Sequence, residues 1–395
     1  MNSELRSNRI HIVLFGRCNS GKSTLLNAMA GEEVSIVSQQ AGTTTDVVRK
    51  NIELPELGAC VLLDTAGLDD NSLLAQQRIA QTRKELEKAE IGILVIDGTQ
   101  TDLSIEKEWM EYARKRKLPF MAVLNKADSS SMTDQQISEQ LQVQPIRISA
   151  LRKEGMEDLF KALTTLSVQK DTIDDLTGNL TQAGDTVLLV MPQDSEAPKG
   201  RLILPQVQTI RHLIDKGCIP ICCTPDTMHT ALQALQQPPQ LIITDSQAFK
   251  AAYENCPEQS KLTSFSILFA RYKGDIKTFA QGVNRLQQLN ENARILIAEA
   301  CSHVPQQEDI GRVKLPNLLR KKIGNNIHID IVSGNNFPED ISSYDLIIHC
   351  GACMFTRHHV LNRIRQAEEQ HIPITNYGIA LAALNGILNK VALPE

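Results

Sequence analysis

The chain has 395 residues, of which 42% are hydrophobic and 22% are charged, and its formal net charge is -5. The length predicts two or three domains, and the composition is typical of a globular protein rather than a disordered or fibrous one. The acidic balance argues against nucleic-acid binding as the main function. The sequence has no long apolar run, so it predicts neither a signal peptide nor a membrane span but a cytoplasmic protein with reduced cysteines.

The first part of the chain alternates short apolar runs with stretches of helical composition. The predicted strands are residues 10–15, 60–63, 91–96, 119–124 and 146–148. The predicted helices are residues 23–30, 75–89, 105–116 and 156–166. This alternation favours a parallel sheet with helices on both faces.

A polar segment, residues 169–183, is predicted to be a linker, and two further α/β regions follow it. The first has predicted strands at 186–191, 219–223 and 241–244 and a helix at 206–216. The second has predicted strands at 293–298, 327–332 and 344–349, with a helix at 276–289 before them. We therefore expect an α/β protein of three domains.

Residues 16–23, Gly-Arg-Cys-Asn-Ser-Gly-Lys-Ser, match the phosphate-binding pattern G-x-x-x-x-G-K-[ST] between a predicted strand and a predicted helix. In such a loop the backbone N–H groups surround the phosphates, the lysine neutralises their charge, and the serine binds Mg²⁺. The candidate nucleotide-binding residues here are Gly16, Asn19, Ser20, Gly21, Lys22, Ser23 and Thr24. This motif alone does not distinguish GTP from ATP.

A second motif selects the base. Asn125, Lys126 and Asp128 follow an apolar strand, where a carboxylate can accept hydrogen bonds from the guanine ring N–H and exocyclic amine. Adenine lacks that pair of donors, so a site built around the carboxylate discriminates strongly. Ser149 and Ala150, at the end of the last predicted strand, are expected to complete the base pocket.

The residues expected to sense the γ-phosphate and to support hydrolysis lie between these motifs. Asp64 and Gly67 belong to an Asp-Thr-Ala-Gly sequence after a strand, and Thr44 lies in a threonine-rich segment typical of a switch loop. We predict a GTPase in which Lys22, Thr44, Asp64 and Gly67 act in catalysis. Ser23, Thr44 and Asp64 would form the Mg²⁺ shell.

Residues 8–166 resemble GTPases of the Era and tRNA-modification (TrmE) branch. Asn19 matches the asparagine that helps many members bind K⁺, and Leu68 stands where Ras-like proteins have a water-orienting glutamine. The resemblance implies slow hydrolysis stimulated by K⁺. Some members have an acidic catalytic residue further along the chain, but this sequence has Gln76 and Gln77 in that region. The sequence therefore does not identify the group that promotes hydrolysis.

Cysteines and histidines cluster at the ends of two predicted strands in the last part of the chain. They are Cys301, His303, His349, Cys350 and Cys353. The carboxyl ends of parallel strands meet at one sheet edge, where three thiolates with a weaker fourth ligand suit an iron–sulfur cluster. A Cys₃His zinc site and ordinary buried cysteines are the alternatives that remain open.

The order C-x-H, a long gap and H-C-x-x-C, together with the GTPase motifs, resembles the HydF family of FeFe-hydrogenase maturation GTPases. The resemblance implies a GTPase domain at 1–168, a dimerisation domain at 183–270 and a cluster-binding domain at 271–395. It also implies a 4Fe-4S cluster on Cys301, Cys350 and Cys353, with His303 and His349 as further candidate ligands.

The function implied is that of a scaffold, on which GTP or GDP acts as a switch. The scaffold would carry a di-iron precursor and deliver it to apo FeFe-hydrogenase. Its expected partners are that hydrogenase, two radical-SAM maturases and a second copy of the chain. The main alternative is an Era/TrmE-like RNA-modification or ribosome-assembly GTPase whose C-terminal domain binds zinc. A third alternative is a redox-sensing GTPase whose cluster is never transferred to another protein.

Overall fold

The computed structural model describes residues 9–31, 48–54, 57–67, 75–168, 175–193, 200, 202–300, 310–334 and 336–395. The chain divides into two compact units, Met1–Thr172 and Ile173–Glu395. In the described ranges, no helix combines the length and the apolar character that crossing a membrane requires.

The first unit is a six-stranded sheet in the order β2-β3-β1-β4-β5-β6. Its strands are β1 (Ile10–Phe15), β2 (Val48–Leu54), β3 (Gly58–Asp64), β4 (Ile91–Asp97), β5 (Phe120–Asn125) and β6 (Ile146–Arg147). Its helices are α1 (Lys22–Ala30), α2 (Ala75–Lys88), α3 (Ser104–Lys115), α4 (Asp134–Leu141) and α5 (Met156–Val168).

Two hydrophobic cores lie on opposite faces of this sheet because successive side chains of a strand point to opposite sides. Ile12 and Leu14 of β1 join the core that contains residues of α1 and α5. Val13 and Phe15 join the other core, with residues of α3 and α4. Both faces of the central strands are therefore buried, which is why these strands are continuous apolar runs.

Strand β2, which the sequence did not predict, pairs antiparallel with β3 at the edge of the sheet. The register runs from Val48 opposite Asp64 to Leu54 opposite Gly58. An edge strand buries few of its side chains, and β2 is accordingly rich in exposed polar residues. Such a strand gives little hydrophobic signal in the sequence.

The second unit contains two four-stranded parallel sheets, with orders β10-β9-β7-β8 and β12-β11-β13-β14. The strands are β7 (Thr186–Val190), β8 (Ile219–Cys223), β9 (Leu241–Thr244), β10 (Lys261–Ser264), β11 (Arg294–Glu299), β12 (His328–Ser333), β13 (Leu346–His349) and β14 (Ile374–Asn376). The helices are α6 (Leu204–Asp215), α7 (Met228–Gln233), α8 (Phe249–Glu254), α9 (Phe265–Lys273), α10 (Ile276–Gly282), α11 (Leu315–Ile323), α12 (Arg357–Glu369) and α13 (Tyr377–Leu384).

One hydrophobic core joins the two sheets of the second unit. It includes Leu188 and Ile242 from the first sheet and Ile297 and Ile348 from the second. The α/β fold class predicted from the sequence is confirmed in both units. The predicted division into three domains at 168, 183 and 270 stays a prediction.

The described end of the predicted linker packs against the second unit. Leu176 and Leu180 are buried, and the carboxylate of Asp175 contacts His212 Nε2 at 3.0 Å and Lys216 Nζ at 2.6 Å. Burial alone raises the pKa of Asp175, but the hydrogen bond and charge of Lys216 lower it overall. The polar composition that suggested a linker therefore belongs, from residue 175 onward, to a segment held by ion pairs.

Candidate nucleotide site and cysteine loop

The loop between β1 and α1 has the backbone that a phosphate loop requires. Gly16 has φ +154°, and a Cβ there would lie 2.2 Å from the carbonyl oxygen of Val95. Gly21 has φ +89°, and a Cβ there would lie 2.1 Å from Asn125 Nδ2. Only glycine fits at either position. Because α1 begins at Lys22, the N–H groups of its first turn face the end of this loop.

The side chain of Lys22 is hydrogen-bonded to the backbone of the phosphate loop. Lys22 is buried, and its Nζ donates to the carbonyl oxygens of Gly16 at 3.0 Å and Arg17 at 2.7 Å. Asn19 has φ +59° and lies exposed on the loop, and Thr24 is exposed in the first turn of α1. The loop is therefore held in a ring-like conformation by its own lysine.

Ser23 and Asp64 form the cation side of the site. Ser23 Oγ donates to Asp64 Oδ2 at 2.5 Å. Within the described part of the chain, Asp64 Oδ1 and Ser20 Oγ are buried and have no hydrogen-bond partner. Burial raises the pKa of Asp64, although the bond from Ser23 and the charge of Lys22 act in the opposite direction. A buried carboxylate oxygen left without a partner beside a hydroxyl fits a hard divalent cation such as Mg²⁺.

Gly67 lies directly against the phosphate loop. A Cβ at Gly67 would lie 2.0 Å from Cys18 Sγ and 2.6 Å from Cys18 N. Any larger residue would force the segment after β3 away from the loop. Thr44 and Leu68 lie outside the described residues.

The base side of the site is fastened to the phosphate side by Asn125. Its Nδ2 donates to Ser20 O at 2.9 Å, and its Oδ1 accepts from Ala150 N at 3.0 Å. Ser149 is also buried, and its Oγ accepts from Arg152 N at 3.4 Å. The structure thus brings three predicted segments, at 16–23, 125–128 and 149–150, to one place.

Lys126 and Asp128 complete this side. Lys126 has φ +57°, and its Nζ donates to Asp97 Oδ2 at 2.7 Å. Burial alone raises the pKa of Asp97, but bonds from Lys126 and Thr99 lower it overall. Asp128 stays partly exposed, with Arg152 NH2 3.4 Å from its Oδ2. The carboxylate of Asp128 is therefore accessible to the guanine ring of a nucleotide.

An ion pair that the sequence did not predict holds the phosphate loop to α3. Arg17 Nε donates to Glu106 Oε1 at 2.9 Å, and Arg17 NH2 lies 3.2 Å from Asp102 Oδ2. Glu106 is 1% exposed, and burial raises its pKa while Arg17 opposes that rise. The only signal in the sequence is a glutamate on the face of α3 that also carries the buried Trp109 and Met110.

The cysteine loop lies between β13 and α12 in the second unit. Cys350 Sγ accepts hydrogen bonds from Ala300 N at 3.0 Å and Ala352 N at 3.4 Å. Ala352 has φ +54°, which turns the chain between Cys350 and Cys353. Two N–H donors stabilise a thiolate, so this cysteine fits the role of a metal ligand.

Cys301 and His303 lie outside the described residues, and Ala300 is the last described residue before Cys301. Counting described residues alone, no group of three or more His, Cys, Asp or Glu side chains is arranged to hold a metal ion. Two of the three predicted cluster cysteines, Cys350 and Cys353, are half-buried on one loop.

His349 is fully buried, and both of its ring nitrogens are engaged. Nδ1 lies 2.8 Å from Cys350 O, and Nε2 lies 2.9 Å from Arg363 NH1. A guanidinium can only donate, so Nε2 accepts and the proton is on Nδ1. Burial, and then the charge of Arg363, lower the pKa of His349 to about 3. In this arrangement the imidazole is neutral and has no nitrogen left for a metal.

Comparison with known families gives three matches along the chain. Residues 11–126 match the 50S ribosome-binding GTPase model, residues 176–274 match the hydrogen maturase F dimerization domain, and residues 277–394 match the hydrogen maturase F tetramerization domain. The two hydrogen maturase F matches together cover more than half of the chain.

Curated relatives match about two fifths of this chain. The tRNA modification GTPase MnmE of Lachnoclostridium phytofermentans is 35% identical over 168 residues, covering 42% of this chain and 36% of that protein. The MnmE of Nitrosomonas europaea is 38% identical over 159 residues, covering 39% of this chain and 34% of that protein. The chain thus spans about a third of the length of these relatives.

Two solved structures also match. Aquifex aeolicus Era bound to GDP and aluminium fluoride is 19% identical, with a TM-score of 0.34, covering 54% of this chain and 92% of that one. The G domain of the T. maritima FeoB iron transporter is 19% identical, with a TM-score of 0.33, covering 40% of this chain and 99% of that one.

Proposed function

Because the chain belongs to the hydrogen maturase F family, we propose that it is a GTPase of hydrogenase maturation that binds a 4Fe-4S cluster and delivers a di-iron precursor to apo FeFe-hydrogenase. The observation that carries the proposal is the presence, in one chain, of a GTPase domain and two hydrogen maturase F domains. GTP hydrolysis acts as the switch that controls loading and release.

The nucleotide site supports the first part of this proposal. Lys22 and the loop N–H groups neutralise phosphate charge, and Asp128 reads the guanine. Ser23, Asp64 and Thr44 would hold Mg²⁺, which would stabilise the negative charge of the phosphates. The backbone N–H of Gly67 would contact the γ-phosphate, and Asn19 would help to bind K⁺.

Phosphate release in KCl and in NaCl tests the GTPase part. We expect slow hydrolysis that is faster in KCl and becomes insensitive to the cation in Asn19→Ala. Asn27→Ala, which changes an exposed asparagine of the helix that follows this loop, is the matched control. Equal rates in both salts for the unchanged protein would contradict the K⁺ role of Asn19.

The cysteine loop supports the cluster part. Cys350 and Cys353 provide two thiols on one loop, and Ala300, which donates to Cys350 Sγ, directly precedes Cys301. We propose that these three cysteines hold the cluster and that its fourth iron is open to an exogenous ligand or to His303. His349 is not among the proposed ligands because both its nitrogens are engaged.

Iron, acid-labile sulfide and electron paramagnetic resonance spectra of anaerobically reconstituted protein test this part. We expect about four irons and four sulfides per chain, and loss of the signal in Cys301→Ser, Cys350→Ser and Cys353→Ser. Cys222→Ser, at an exposed cysteine of β8, is the control and should keep the cluster. Bound zinc together with salt-sensitive RNA binding would instead favour an RNA-modification GTPase, the activity that the names of the MnmE relatives describe.

The partners follow from the proposed reaction. The protein would receive its precursor from two radical-SAM maturases and pass it to apo FeFe-hydrogenase. Binding assays with GTP- and GDP-loaded protein test the switch, and equal affinity of both forms for all three partners would contradict it.

A further partner is a second copy of the chain. Four apolar side chains are exposed on α6 and β8 and just before α6, at the edge of the first sheet of the second unit: Leu202, Val207, Ile214 and Ile219. Exposed apolar residues grouped on one edge mark an interaction surface. They lie within the match to the dimerization domain, so we propose this edge as the contact between copies.

A further inference from the structure

Arg363 of α12 is buried directly behind the cysteine loop. Its side chain is almost fully enclosed, at 3% exposure. NH1 donates to His349 Nε2 at 2.9 Å, and NH2 donates to Gly334 O. The guanidinium also lies 4.8 Å from the ring centroid of Phe337 and 4.7 Å from that of Phe355. Four groups from two segments of the chain, one with Gly334 and Phe337 and the other with His349 and Phe355, thus hold this cation in one position.

A relay of hydrogen bonds runs from this cation to the first cysteine of the loop. Arg363 donates to His349, and His349 Nδ1 in turn donates to Cys350 O at 2.8 Å. On the other side of the same residue, Cys350 N donates to Ala298 O at 2.9 Å. Both backbone groups of Cys350 are therefore held, and Asn376 Nδ2 also donates to Cys350 O at 3.5 Å. This fixed backbone, together with the N–H donors of Ala300 and Ala352, sets the position of Sγ.

The position of the charge matters as well as the hydrogen bonds. Arginine keeps its proton under all conditions in which proteins fold. A guanidinium removed from water acts over a longer range than an exposed one, because little solvent screens it. A thiolate-ligated cluster is negatively charged and gains one more negative charge on reduction. A fixed cation behind the loop therefore favours the reduced state.

We propose that Arg363 is a positioning residue for the cluster, which fixes Cys350 through His349 and raises the reduction potential by its buried charge. The inference rests on the proposed cluster site but concerns residues outside the ligand set. It assigns His349 the role of relay between Arg363 and the loop.

Three variants separate the two effects. Arg363→Met removes the charge and the hydrogen bonds but keeps an apolar stem against Phe337 and Phe355. Arg363→Lys keeps the charge and loses the planar fork that reaches His349 and Gly334 together. Arg365→Gln is the matched control, since it removes one positive charge from the same helix at a partly exposed position.

The first readout is hydrogen exchange of residues 346–356 in the apo protein. We expect faster exchange at Cys350 and Ala352 in both Arg363 variants and wild-type exchange in Arg365→Gln. Unchanged exchange in both Arg363 variants would overturn the positioning role. This measurement needs no cluster, so it decides that role even if the proposed cluster site is wrong.

The second readout is the midpoint potential of the reconstituted protein, followed by electron paramagnetic resonance. We expect a lower potential in Arg363→Met, a potential nearer to wild type in Arg363→Lys, and no change in Arg365→Gln. Equal potentials in wild type and Arg363→Met would overturn the charge role. If circular dichroism shows that Arg363→Met does not fold, Arg363→Gln, which can still donate to His349, replaces it in the same comparison.

Discussion

Asn125 Nδ2 donates a hydrogen bond to the carbonyl oxygen of Ser20 at 2.9 Å, across 105 positions of sequence. Asn125 is 3% exposed, and its Oδ1 accepts from Ala150 N. One amide side chain thus fastens the phosphate loop to both segments of the base pocket. The described parts of the phosphate loop and of the base pocket are therefore held to one another by the protein's own hydrogen bonds.

Asn125→Ala should weaken both folding and nucleotide binding. Two buried hydrogen bonds are lost and their backbone partners are left unsatisfied, which costs about 2 kcal/mol or more. We expect a lower thermal midpoint and at least ~10-fold weaker binding of a fluorescent GTP analogue. Asn255→Ala, at an exposed asparagine whose side chain donates to Ala251 O in α8, is the control and should change neither. Unchanged nucleotide affinity in Asn125→Ala would show that other contacts hold the phosphate loop to the base pocket.

Asp128→Asn should change the preferred base. The carboxylate accepts from two N–H donors of guanine, whereas an amide presents one acceptor and one donor. Xanthine carries an oxygen in place of the exocyclic amine, so the amide complements it. We expect at least ~100-fold loss of GTP affinity and a gain for XTP, measured by competition. If Asp128→Asn keeps its preference for GTP, Asp128 does not recognise the guanine ring.

Asp64→Asn should stabilise the apo protein while abolishing the effect of Mg²⁺. Burial raises the pKa of Asp64, so the folded apo protein holds this proton more tightly than the unfolded chain. The stability that this proton contributes is complete below the ordinary carboxyl pKa and is lost as pH rises through the folded value. Relative to Asp64→Asn, the wild type should therefore lose stability as pH rises above the ordinary carboxyl pKa of about 4 and through the raised pKa of the folded protein.

Thermal unfolding at several pH values, with and without MgGDP, measures the pH dependence of stability and the effect of Mg²⁺ in the wild type and in Asp64→Asn. We expect Mg²⁺ to increase the stabilisation by GDP in the wild type only. Ser131→Ala, at a serine outside the cation site, is the control and should respond to Mg²⁺ like the wild type. A Mg²⁺ response that survives in Asp64→Asn would exclude Asp64 from the metal shell.

The sequence predicted the elements that carry local signals. The strand before Gly16 and the strand that ends at Asn125 are apolar runs, and the helix that begins at Lys22 directly follows the phosphate motif. The positions of these elements fix the sheet edge where the site forms. Strand β2 was missed because an exposed edge strand has few buried side chains.

The sequence also did not predict side-chain contacts between residues that are far apart in the chain. His349 was a candidate ligand because it adjoins Cys350, and nothing near it in sequence reveals that Arg363 occupies its Nε2. Arg17 was an unassigned loop position because its partner, Glu106, lies 89 residues away. Sequence patterns report local periodicity, whereas such buried charge contacts arise only when the fold brings remote segments together.

Ile219→Glu should disrupt the contact between copies. Ile219 is 55% exposed on β8, so a charge there costs the folded chain little but would be desolvated in an interface. We expect the dissociation constant of the oligomer to rise at least ~10-fold, measured by analytical ultracentrifugation. Val48→Glu, at a similarly exposed valine of the first unit, is the control. An oligomer that resists Ile219→Glu would place the contact elsewhere.

Glu106→Gln should destabilise the first unit and loosen the phosphate loop. Arg17 and Glu106 are largely buried together, with side-chain exposures of 14% and 1%, and removing one member of a buried pair leaves the other charge poorly compensated. Arg17 keeps its contacts with Asp102, which limits the loss to about 2 to 3 kcal/mol. Urea unfolding should show this loss, and nucleotide release should become faster.

Two further variants separate charge from packing in this pair. Replacing both residues, as Arg17→Met with Glu106→Leu, should recover much of the stability because no buried charge remains, yet nucleotide release should stay fast since the tie to α3 is gone. Asp134→Asn breaks an exposed pair with Arg147 and should cost less than about 1 kcal/mol. If Glu106→Gln costs no more than Asp134→Asn, the pair does not hold the loop, and the position of Arg17 is set by backbone contacts instead.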